Sequence, residues 1–420
     1  MPIEVFFRKD LLMKRVIFWV MVAGFCASSF ATDARVLTMG RHDDFFMDDV
    51  SIFRNPANIN YYPNMLLGSL GVYNADSALG AVQNRDPQRP FGGVILSYSL
   101  NQSSEAGNQY PLISFGAIFN RYDYMLDYLN PGSIQFQNAL GSNIDLAAPV
   151  GKIDLMLGYA MPNGAMIGVG GYFAFQSETD PNSLINMESN LYKGNVGINW
   201  PLAKSMNLEA SLDISSLKGK GIQAADTSAK TIADGDVSVK GDVRLFSALS
   251  SFNGDFVPHI GIERISLMKG KYDQLDVSGG LGVNINIDKG FFWAALEGLY
   301  ESTDKNYMTP TTSTSGIGGR VSAGLERNVI WDWWVWRIGV MKRLLYVTDG
   351  AGNNGKWEQN SESNGSDDDF AAIGWGLNIE NRLKVDIVLS ENMWYTLTNL
   401  VSGSGASKYL LNRATITYSF

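Results

Sequence analysis

The sequence LDVSGGLGVNINID, residues 275–288, alternates between two sets of side chains with almost no break. One set is apolar apart from a single glycine: Leu275, Val277, Gly279, Leu281, Val283, Ile285 and Ile287. The other set is small or polar: Asp276, Ser278, Gly280, Gly282, Asn284, Asn286 and Asp288. A period of two residues is typical of a β-strand, because successive side chains point to opposite faces. This stretch therefore predicts a strand with one apolar face and one polar face.

The same alternation returns at 208–215 and at 317–326. The chain also contains 44 glycines, 13 prolines and 12% aromatic residues, a composition that suits many strands and tight turns. We therefore predict an all-β protein. Alternation alone leaves two architectures open, a soluble β-sandwich and a membrane barrel.

The lengths of the connections favour the barrel. Short connections are predicted near 162–164, 201–206, 251–255, 288–290, 328–332 and 380–382. They are interleaved with mostly longer ones, which include 122–150, 179–188, 217–235, 303–314 and 348–368. Outer-membrane barrels place short turns on one side and long loops on the other, whereas a sandwich has no reason to do so. Residues 65–420 are therefore predicted to form a transmembrane antiparallel β-barrel of 14 to 16 strands; the segments near Leu66, Val94 and Ile113 decide the number.

Aromatic side chains bracket the predicted strands. Trp334, Trp336 and Tyr346 fall on one alternating face and span about 30 Å, the height of an apolar band with its aromatic girdles. Lys342 falls on the same face, which suggests a bulge or a snorkelling side chain there. At the end of the chain Ala414, Ile416, Tyr418 and Phe420 share a face. The terminal pattern Ile416, Tyr418 and Phe420 resembles the signal by which the barrel assembly machinery recognises outer-membrane proteins.

Residues 1–31 are predicted to be a cleaved signal peptide. Lys14 and Arg15 precede an apolar run from Val16 to Phe25, and Ser29-Phe30-Ala31 offers small residues at a cleavage site after Ala31. A retained helical anchor would need about 20 apolar residues. A lipoprotein at Cys26 would need a small residue in place of Phe25. Met13 is an alternative start, and either start predicts export to the cell outer membrane.

The composition excludes several other functions. The net charge of −9 and the scattered basic residues offer no surface for nucleic acid. The mature chain lacks cysteine and contains only His42 and His259, so we predict no metal, no cofactor and no enzymatic activity. Asp367–Asp369 is interpreted as a solvated loop, with weak calcium binding as the alternative.

Residues 32–64, before the first strand, contain Met39-Gly40-Arg41, an acidic and serine-containing stretch, and then Asn55-Pro56-Ala57. This order resembles the long-chain fatty acid outer-membrane transporter family. The resemblance implies an N-terminal hatch that plugs the barrel, with Asn55, Pro56 and Ala57 as its motif. The chain departs from the family pattern at residues 41–44, where charged residues replace the expected small ones. An ordinary loop is the alternative.

The expected function is a monomeric channel in the outer-membrane lipid for hydrophobic small molecules such as fatty acids. Two alternatives remain open: a docking or shuttle barrel of type IX protein secretion, whose partner would be a secreted protein, and a general diffusion porin. The lumen is predicted to be polar, with charges of both signs pointing inward: Asp154, Glu209, Asp213, Lys240, Asp242, Arg244, Asp276, Arg320, Glu326, Arg337, Lys384, Asp386 and Arg413.

Overall fold

A computed structural model describes most of the chain after residue 32. The described residues are 33–72, 90–100, 111–131, 133–140, 144–223, 228–249, 252–306, 311–329, 331–349, 353–357, 369–380, 382–390 and 413–420. The signal peptide predicted at 1–31 and two of the three residues in the acidic stretch 367–369 lie outside this set.

The fold is a closed antiparallel barrel of 16 strands preceded by an N-terminal helical segment, which confirms the predicted fold class and its upper strand number. The strands are β1 (Met65–Val72), β2 (Phe91–Ser99), β3 (Leu112–Phe119), β4 (Ile144–Asp145), β5 (Gly151–Ala160), β6 (Met166–Thr179), β7 (Asn186–Ala203), β8 (Met206–Gln223), β9 (Ser228–Leu249), β10 (Gly254–Leu267), β11 (Tyr272–Ile287), β12 (Gly290–Lys305), β13 (Thr312–Asn328), β14 (Trp334–Asp349), β15 (Lys356–Trp357), β16 (Asp369–Ile379), β17 (Leu383–Ser390) and β18 (Arg413–Ser419). The two-residue strand β4 pairs with the end of β8, and the two-residue strand β15 pairs with the end of β14. The other 16 strands form the wall of the barrel.

The helices are short: α1 (Asp33–Thr38), α2 (Ser51–Arg54), α3 (Ile134–Ala139) and two 3-10 helices, Pro56–Tyr61 and Tyr124–Leu129. Among the residues that the structure describes, no helix has the length and apolar character needed to cross a membrane.

The first and last strands close the barrel. β18 pairs with β17 on one side and with β1 on the other, where Tyr418 lies opposite Leu66. The backbone N–H of Phe420 donates to the carbonyl of Asn64 at 3.0 Å. We call the rim that carries Phe420 and the short turns the terminus rim, and the opposite rim the loop rim.

The two faces of the wall differ as the alternation predicts. On β8 Glu209 and Asp213 point into the lumen and are buried, whereas Leu212 and Ile214 point outward and are 42% and 49% exposed. Apolar side chains outside and polar ones inside are the reverse of a soluble protein and typical of a barrel that contacts lipid. The soluble β-sandwich is therefore excluded.

The register predicted for β14 is correct. Trp334, Trp336 and Tyr346 share the outer face, and the β13–β14 pairing runs without a shift past Lys342, which lies opposite Val321. The suggested bulge is thus absent from this pairing. Trp331 and Trp333 stack at 5.0 Å beside the terminus rim and extend the aromatic girdle.

The long loop predicted at 217–235 is wrong. β8 continues to Gln223 and β9 begins at Ser228, with register shifts after Leu217 and Gly219. The strands continue because Leu217 and Ile232 are buried in an apolar cluster inside the loop rim. The β10–β11 connection at 268–271 is also short, although it lies at the loop rim.

Candidate functional site in the barrel lumen

Residues 33–64, which we call the N-terminal segment, cross the lumen in the half next to the terminus rim. α1 packs against β14, β16, β17 and β18, and the 3-10 helix Pro56–Tyr61 packs against β3, β5, β6 and β7 on the other side. Between them Phe45 and Phe46 pack around Trp293 of β12, with ring centroids 6.3 and 5.2 Å from the indole. The segment therefore touches the wall around most of its circumference.

Glycines of the wall make room for this segment. A Cβ added to Gly168 of β6 would overlap the backbone of Pro56 and Ala57, and one added to Gly197 of β7 would overlap the side chain of Asn55. Other glycines face the segment in the same way: Gly116, Gly158, Gly282, Gly324, Gly339 and Gly374. The absence of side chains at these wall positions lets the backbone of the segment approach the strands closely.

The predicted motif lies at this contact. The side-chain oxygen of Asn55 accepts from the N–H of Ala57 at 3.0 Å, which caps the 3-10 helix that Pro56 begins. The side-chain amide of Asn55 donates to the carbonyl of Ile198 on β7 at 2.9 Å. Ala57 is fully buried. The motif thus combines a local cap with a hydrogen bond to the wall.

A buried ion pair supports the same contact from the wall. Glu209 of β8 forms a salt bridge with Arg244 of β9 and accepts from the side-chain amide of Asn58. Arg244 donates to the carbonyls of Asp43 and Phe46 at 2.6 and 3.0 Å. A few wall charges therefore satisfy several polar groups of the N-terminal segment.

A second ionic group holds α1. Arg35 pairs with Asp48 and with Glu326 of β13, the latter at 2.7 Å, and Glu326 also accepts from Arg337 at 2.5 Å. Arg337 continues to Asp386 at 2.5 Å. Burial opposes the ionisation of Asp48, but the adjacent Arg35 outweighs it, so the pKa of Asp48 is lowered.

A third group, the histidine cluster, lies between the segment and strands β9, β10, β12 and β13. It consists of His42, Asp43, Asp44 and Arg54 from the segment and Asp242, His259, Glu297, Arg320 and Ser322 from the wall. Asp44 accepts from Arg54 at 2.6 Å and from Arg320 at 2.9 Å. Burial opposes ionisation of Asp44, but Arg54 and His42 hold its pKa well below the ordinary value. One ligand atom each from His42, Asp44 and Glu297 lie within 4.8 Å of one another, and so do those of Asp44, Asp242 and His259.

Within this cluster Ser322, His42 and Asp44 are hydrogen-bonded in the order of a catalytic triad. The Nε2 of His42 lies 2.8 Å from the Ser322 hydroxyl, and its Nδ1 lies 2.9 Å from Asp44. Ser322 is only 1% exposed, however, so its oxygen is covered in this conformation. A nucleophilic serine must meet its substrate directly, and in this conformation the three residues instead join the segment to the wall.

A polar cavity of about 200 Å³ lies on the loop-rim side of the histidine cluster, at mid-height in the barrel. Five carboxylates line it, from Asp44, Asp242, Glu263, Asp276 and Glu301, against three basic side chains, from Lys240, His259 and Arg320. The cavity is therefore acidic.

The connection between β3 and β5, which we call the mouth segment (residues 121–140), lies inside the loop rim against strands β6 to β11. Its helices contribute buried apolar side chains that include Met125, Leu126, Leu129 and Phe136. Wall residues complete this mouth cluster: Tyr172, Ala174, Leu191, Leu217, Ile232, Ala233, Ile265, Leu267 and Tyr272. The lumen is thus filled at two levels with the polar cavity between them.

Polar contacts fix the mouth segment to the wall. Arg121 pairs with Asp154 of β5 at 2.8 Å and with Asp123 at 3.4 Å. Asp123 also accepts from Lys193 of β7 at 3.5 Å and caps the 3-10 helix through the N–H of Met125. The sequence predicted a plain loop here; the capping residue and the apolar run after Asp123 are the signal that could have revealed the helices.

Many of the side chains predicted to point inward make lumen contacts. Such contacts are formed by Asp154, Glu209, Asp213, Arg244, Arg320, Glu326, Arg337 and Asp386. Several of them bind partners in the N-terminal and mouth segments. The alternation of the strands could not predict these partners, because they lie outside the strands.

No protein-family model matches the chain, and no curated protein matches its sequence. The structure is similar to that of a Pseudomonas aeruginosa FadL homologue, with 12% identity and a TM-score of 0.40 over 94% of this chain and 100% of that one. It is similar to a mutant of the monoaromatic hydrocarbon channel TodX, with 10% identity and a TM-score of 0.38 over 92% of this chain and 97% of that one. It is also similar to CdiB from Acinetobacter baumannii, with 10% identity and a TM-score of 0.40 over 86% of this chain and 60% of that one.

Proposed function

We propose that the chain is an outer-membrane channel for small hydrophobic molecules, closed at rest by its own N-terminal segment acting as a hatch. The observation that carries this proposal is the filling of the lumen at two levels, by the N-terminal segment near the terminus rim and by the mouth segment near the loop rim. A general porin needs a continuous water-filled lumen. A barrel filled in this way suits the passage of selected molecules after a conformational change.

The mouth cluster supports a hydrophobic ligand. Leu129, Phe136 and Leu217 are completely buried there, so any displacement of the mouth segment uncovers an apolar surface. An apolar molecule that replaces these contacts compensates for the surface exposed, whereas a polar solute does not. The mouth cluster is therefore the proposed first binding site.

The polar cavity narrows the ligand class further. Its excess of carboxylates over basic groups opposes a negatively charged ligand by like-charge repulsion in a partly desolvated space. Uncharged hydrophobic molecules, such as small aromatics, are therefore the favoured ligands, ahead of ionised fatty acids. No energy source is needed for such passage down a gradient.

The proposed location is the outer membrane, with the terminus rim facing the periplasm and the loop rim outside. The apolar outer face and the tryptophan-rich girdle support insertion in lipid. In this arrangement the barrel assembly machinery recognises Ile416, Tyr418 and Phe420, and the barrel works as a monomer.

Binding and flux measurements on purified, refolded protein test the proposal. We expect toluene to bind with a higher affinity than decanoate, and Phe136→Asp to weaken toluene binding about tenfold or more by placing a charge in the mouth cluster. Leu184→Asp is the matched control, because Leu184 is exposed in the β6–β7 loop and should leave binding unchanged.

Three results would contradict the proposal. Steady, large ion conductance of the wild-type protein in planar bilayers would indicate a general porin. A secreted protein that co-purifies in stoichiometric amount, with no small-molecule binding, would indicate a docking barrel. Equal toluene binding by the wild type and by Phe136→Asp would remove the mouth cluster as the binding site.

A further inference from the structure

The chain contains only two histidines, and both lie in the histidine cluster. His42 comes from the N-terminal segment and His259 from β10, and their rings contact Phe45 at centroid distances of 6.0 and 5.6 Å. Imidazole is the side chain most often used to bind transition metals in proteins. The fold therefore gathers the scarcest metal-ligating residue of the chain at one place.

The two imidazoles differ in the contacts of their ring nitrogens. The Nε2 of His259 is 2.9 Å from Asp242, and the Nε2 of His42 is 2.8 Å from Ser322. The Nδ1 of His259 faces Glu297 at 3.6 Å without a hydrogen bond, whereas the Nδ1 of His42 is hydrogen-bonded to Asp44 at 2.9 Å. The bond to Asp242 fixes the tautomer of His259 and leaves the lone pair of its Nδ1 for a metal, as in carboxylate–histidine–zinc arrangements. A metal bound to the Nδ1 of His42 would replace the proton that this nitrogen shares with Asp44.

Two atoms of this cluster are buried without a hydrogen-bond partner among the described residues. They are the Nδ1 of His259 and the Oε1 of Glu297, which face each other at 3.6 Å. Their residues are only 5% and 2% exposed. Buried polar atoms in this state are unfavourable unless a bound group satisfies them.

The separation of these atoms suits a shared metal ion. Nitrogen and oxygen ligands bind zinc at about 2.0–2.1 Å, so two ligands at tetrahedral positions lie about 3.4 Å apart. The observed 3.6 Å is close to this value. Asp44 offers a carboxylate oxygen within 4.8 Å of ligand atoms of His42 and Glu297 in one group, and of Asp242 and His259 in a second group, so Asp44 is common to both.

The charges of the cluster also suit a divalent cation. Four carboxylates meet two guanidinium groups, those of Asp43, Asp44, Asp242 and Glu297 with Arg54 and Arg320. These six groups carry a balance of two negative charges, which one divalent ion neutralises when it displaces the protons of the imidazole Nδ1 atoms. Arg320 binds the other oxygen of Glu297, Oε2, and so orients the carboxylate without occupying Oε1.

We propose that the histidine cluster binds one divalent transition-metal ion of the zinc class, which ties the N-terminal segment to the barrel wall. His259 and Glu297 are its ligands from the wall, and Asp44 and His42 are its ligands from the segment. Asp242 and Ser322 are positioning residues that hold the imidazoles. The adjoining cavity, which Asp44 and His259 line, gives the ion access. This proposal is independent of the molecule that the channel carries.

The test uses the purified full chain in detergent, stripped with a chelator and then titrated with zinc chloride. We expect one zinc ion per chain, measured by elemental mass spectrometry and calorimetry. Glu297→Gln and His42→Gln should each weaken zinc binding about 100-fold or more, because each removes a ligand. Asp213→Asn is the matched control, because it removes a buried carboxylate of the lumen that pairs with Lys193 of the wall, outside the cluster, and should leave zinc affinity unchanged.

Cobalt gives a readout that needs no variant. Co²⁺ bound by the wild-type protein in a tetrahedral nitrogen and oxygen site should show visible absorption bands that zinc abolishes by competition. No zinc-displaceable bands, or zinc binding that Glu297→Gln and His42→Gln leave as strong as in the wild type, would overturn the proposal. If a variant fails to give the folded, heat-modifiable band on a gel, the cobalt spectrum of the wild type decides.

Discussion

Arg244 of β9 and Glu209 of β8 form a salt bridge inside the barrel with only 1% and 2% exposure. The pair does more than join neighbouring strands, because Arg244 also binds two backbone carbonyls of the N-terminal segment and Glu209 binds Asn58. The wall thus holds the segment through a buried ion pair, and both members of this pair also bind polar groups of the segment. A change in either residue should affect the segment before it affects the barrel.

Arg244→Met should release the N-terminal segment. Removal of one partner leaves Glu209 buried without its counter-ion, which costs about 3–5 kcal/mol in the free energy of unfolding. We expect a lower midpoint of urea unfolding in lipid vesicles and frequent long current steps in planar bilayers. Arg264→Met is the control, because the ion pair of Arg264 with Asp273 is exposed and its loss should change stability by no more than about 1 kcal/mol. Equal current traces for both variants would contradict this role of Arg244.

Gly197→Val should displace Asn55 and Pro56 from the wall. Its side chain would overlap Asn55, and overpacking of this kind costs about 1–3 kcal/mol. We expect increased conductance and faster labelling of a cysteine placed at residue 57. Gly194→Val in the same strand is the matched control, because a Cβ at Gly194 meets no atom within 4 Å. Conductance that Gly197→Val leaves unchanged would show that this contact does not hold the segment.

The barrel could be predicted from the sequence because its strands repeat a single rule. Alternation places Glu209 inside and Leu212 outside regardless of what fills the lumen, and the order of short turns fixes how the strands connect. The error at 217–235 has a physical reason. Leu217 and Ile232 are held in strands by the mouth cluster, a contact between distant parts of the chain that local composition does not reveal.

The site could be predicted only in part. Asn55, Pro56 and Ala57 were singled out by a family resemblance, and the structure shows their contacts with β6 and β7. The histidine cluster was missed because its members are scattered from residue 42 to residue 322. Only the return of the N-terminal segment into the lumen brings His42 close to Glu297, and no spacing in the sequence encodes that.

Acid should loosen the mouth segment. Burial opposes the ionisation of Asp123, but Lys193 and Arg121 outweigh it and lower the pKa of Asp123 below its ordinary value. A lowered pKa in the folded state stabilises the fold above the ordinary pKa of about 3.9, and this stabilisation is lost as the pH falls through the folded value. We expect pepsin to cleave within residues 124–139 only at the acid end of a series from pH 5 to pH 2.

Asp123→Asn should shift the onset of that cleavage to a higher pH, because the amide cannot pair with Lys193 as a carboxylate does. Asp180→Asn is the control, since Asp180 lies in the exposed β6–β7 loop and its carboxylate accepts from Asn182 and Ser183 of its own turn. Cleavage that begins at the same pH in the wild type and in Asp123→Asn would show that another group controls the mouth segment.

Deletion of Phe420 should impair assembly more than it impairs the finished barrel. Phe420 is 56% exposed, and its ring stacks on Tyr418 at 6.5 Å, so it contributes little to the packing of the wall. Its backbone N–H nevertheless binds Asn64 at the seam where β18 meets β1. We expect a several-fold smaller heat-modifiable fraction in cells but near-normal urea stability of the material that does fold, with Ser419→Ala as the control. A stability loss of about 3 kcal/mol or more in the purified deletion protein, with normal assembly in cells, would place the role of Phe420 in the barrel itself rather than in its recognition.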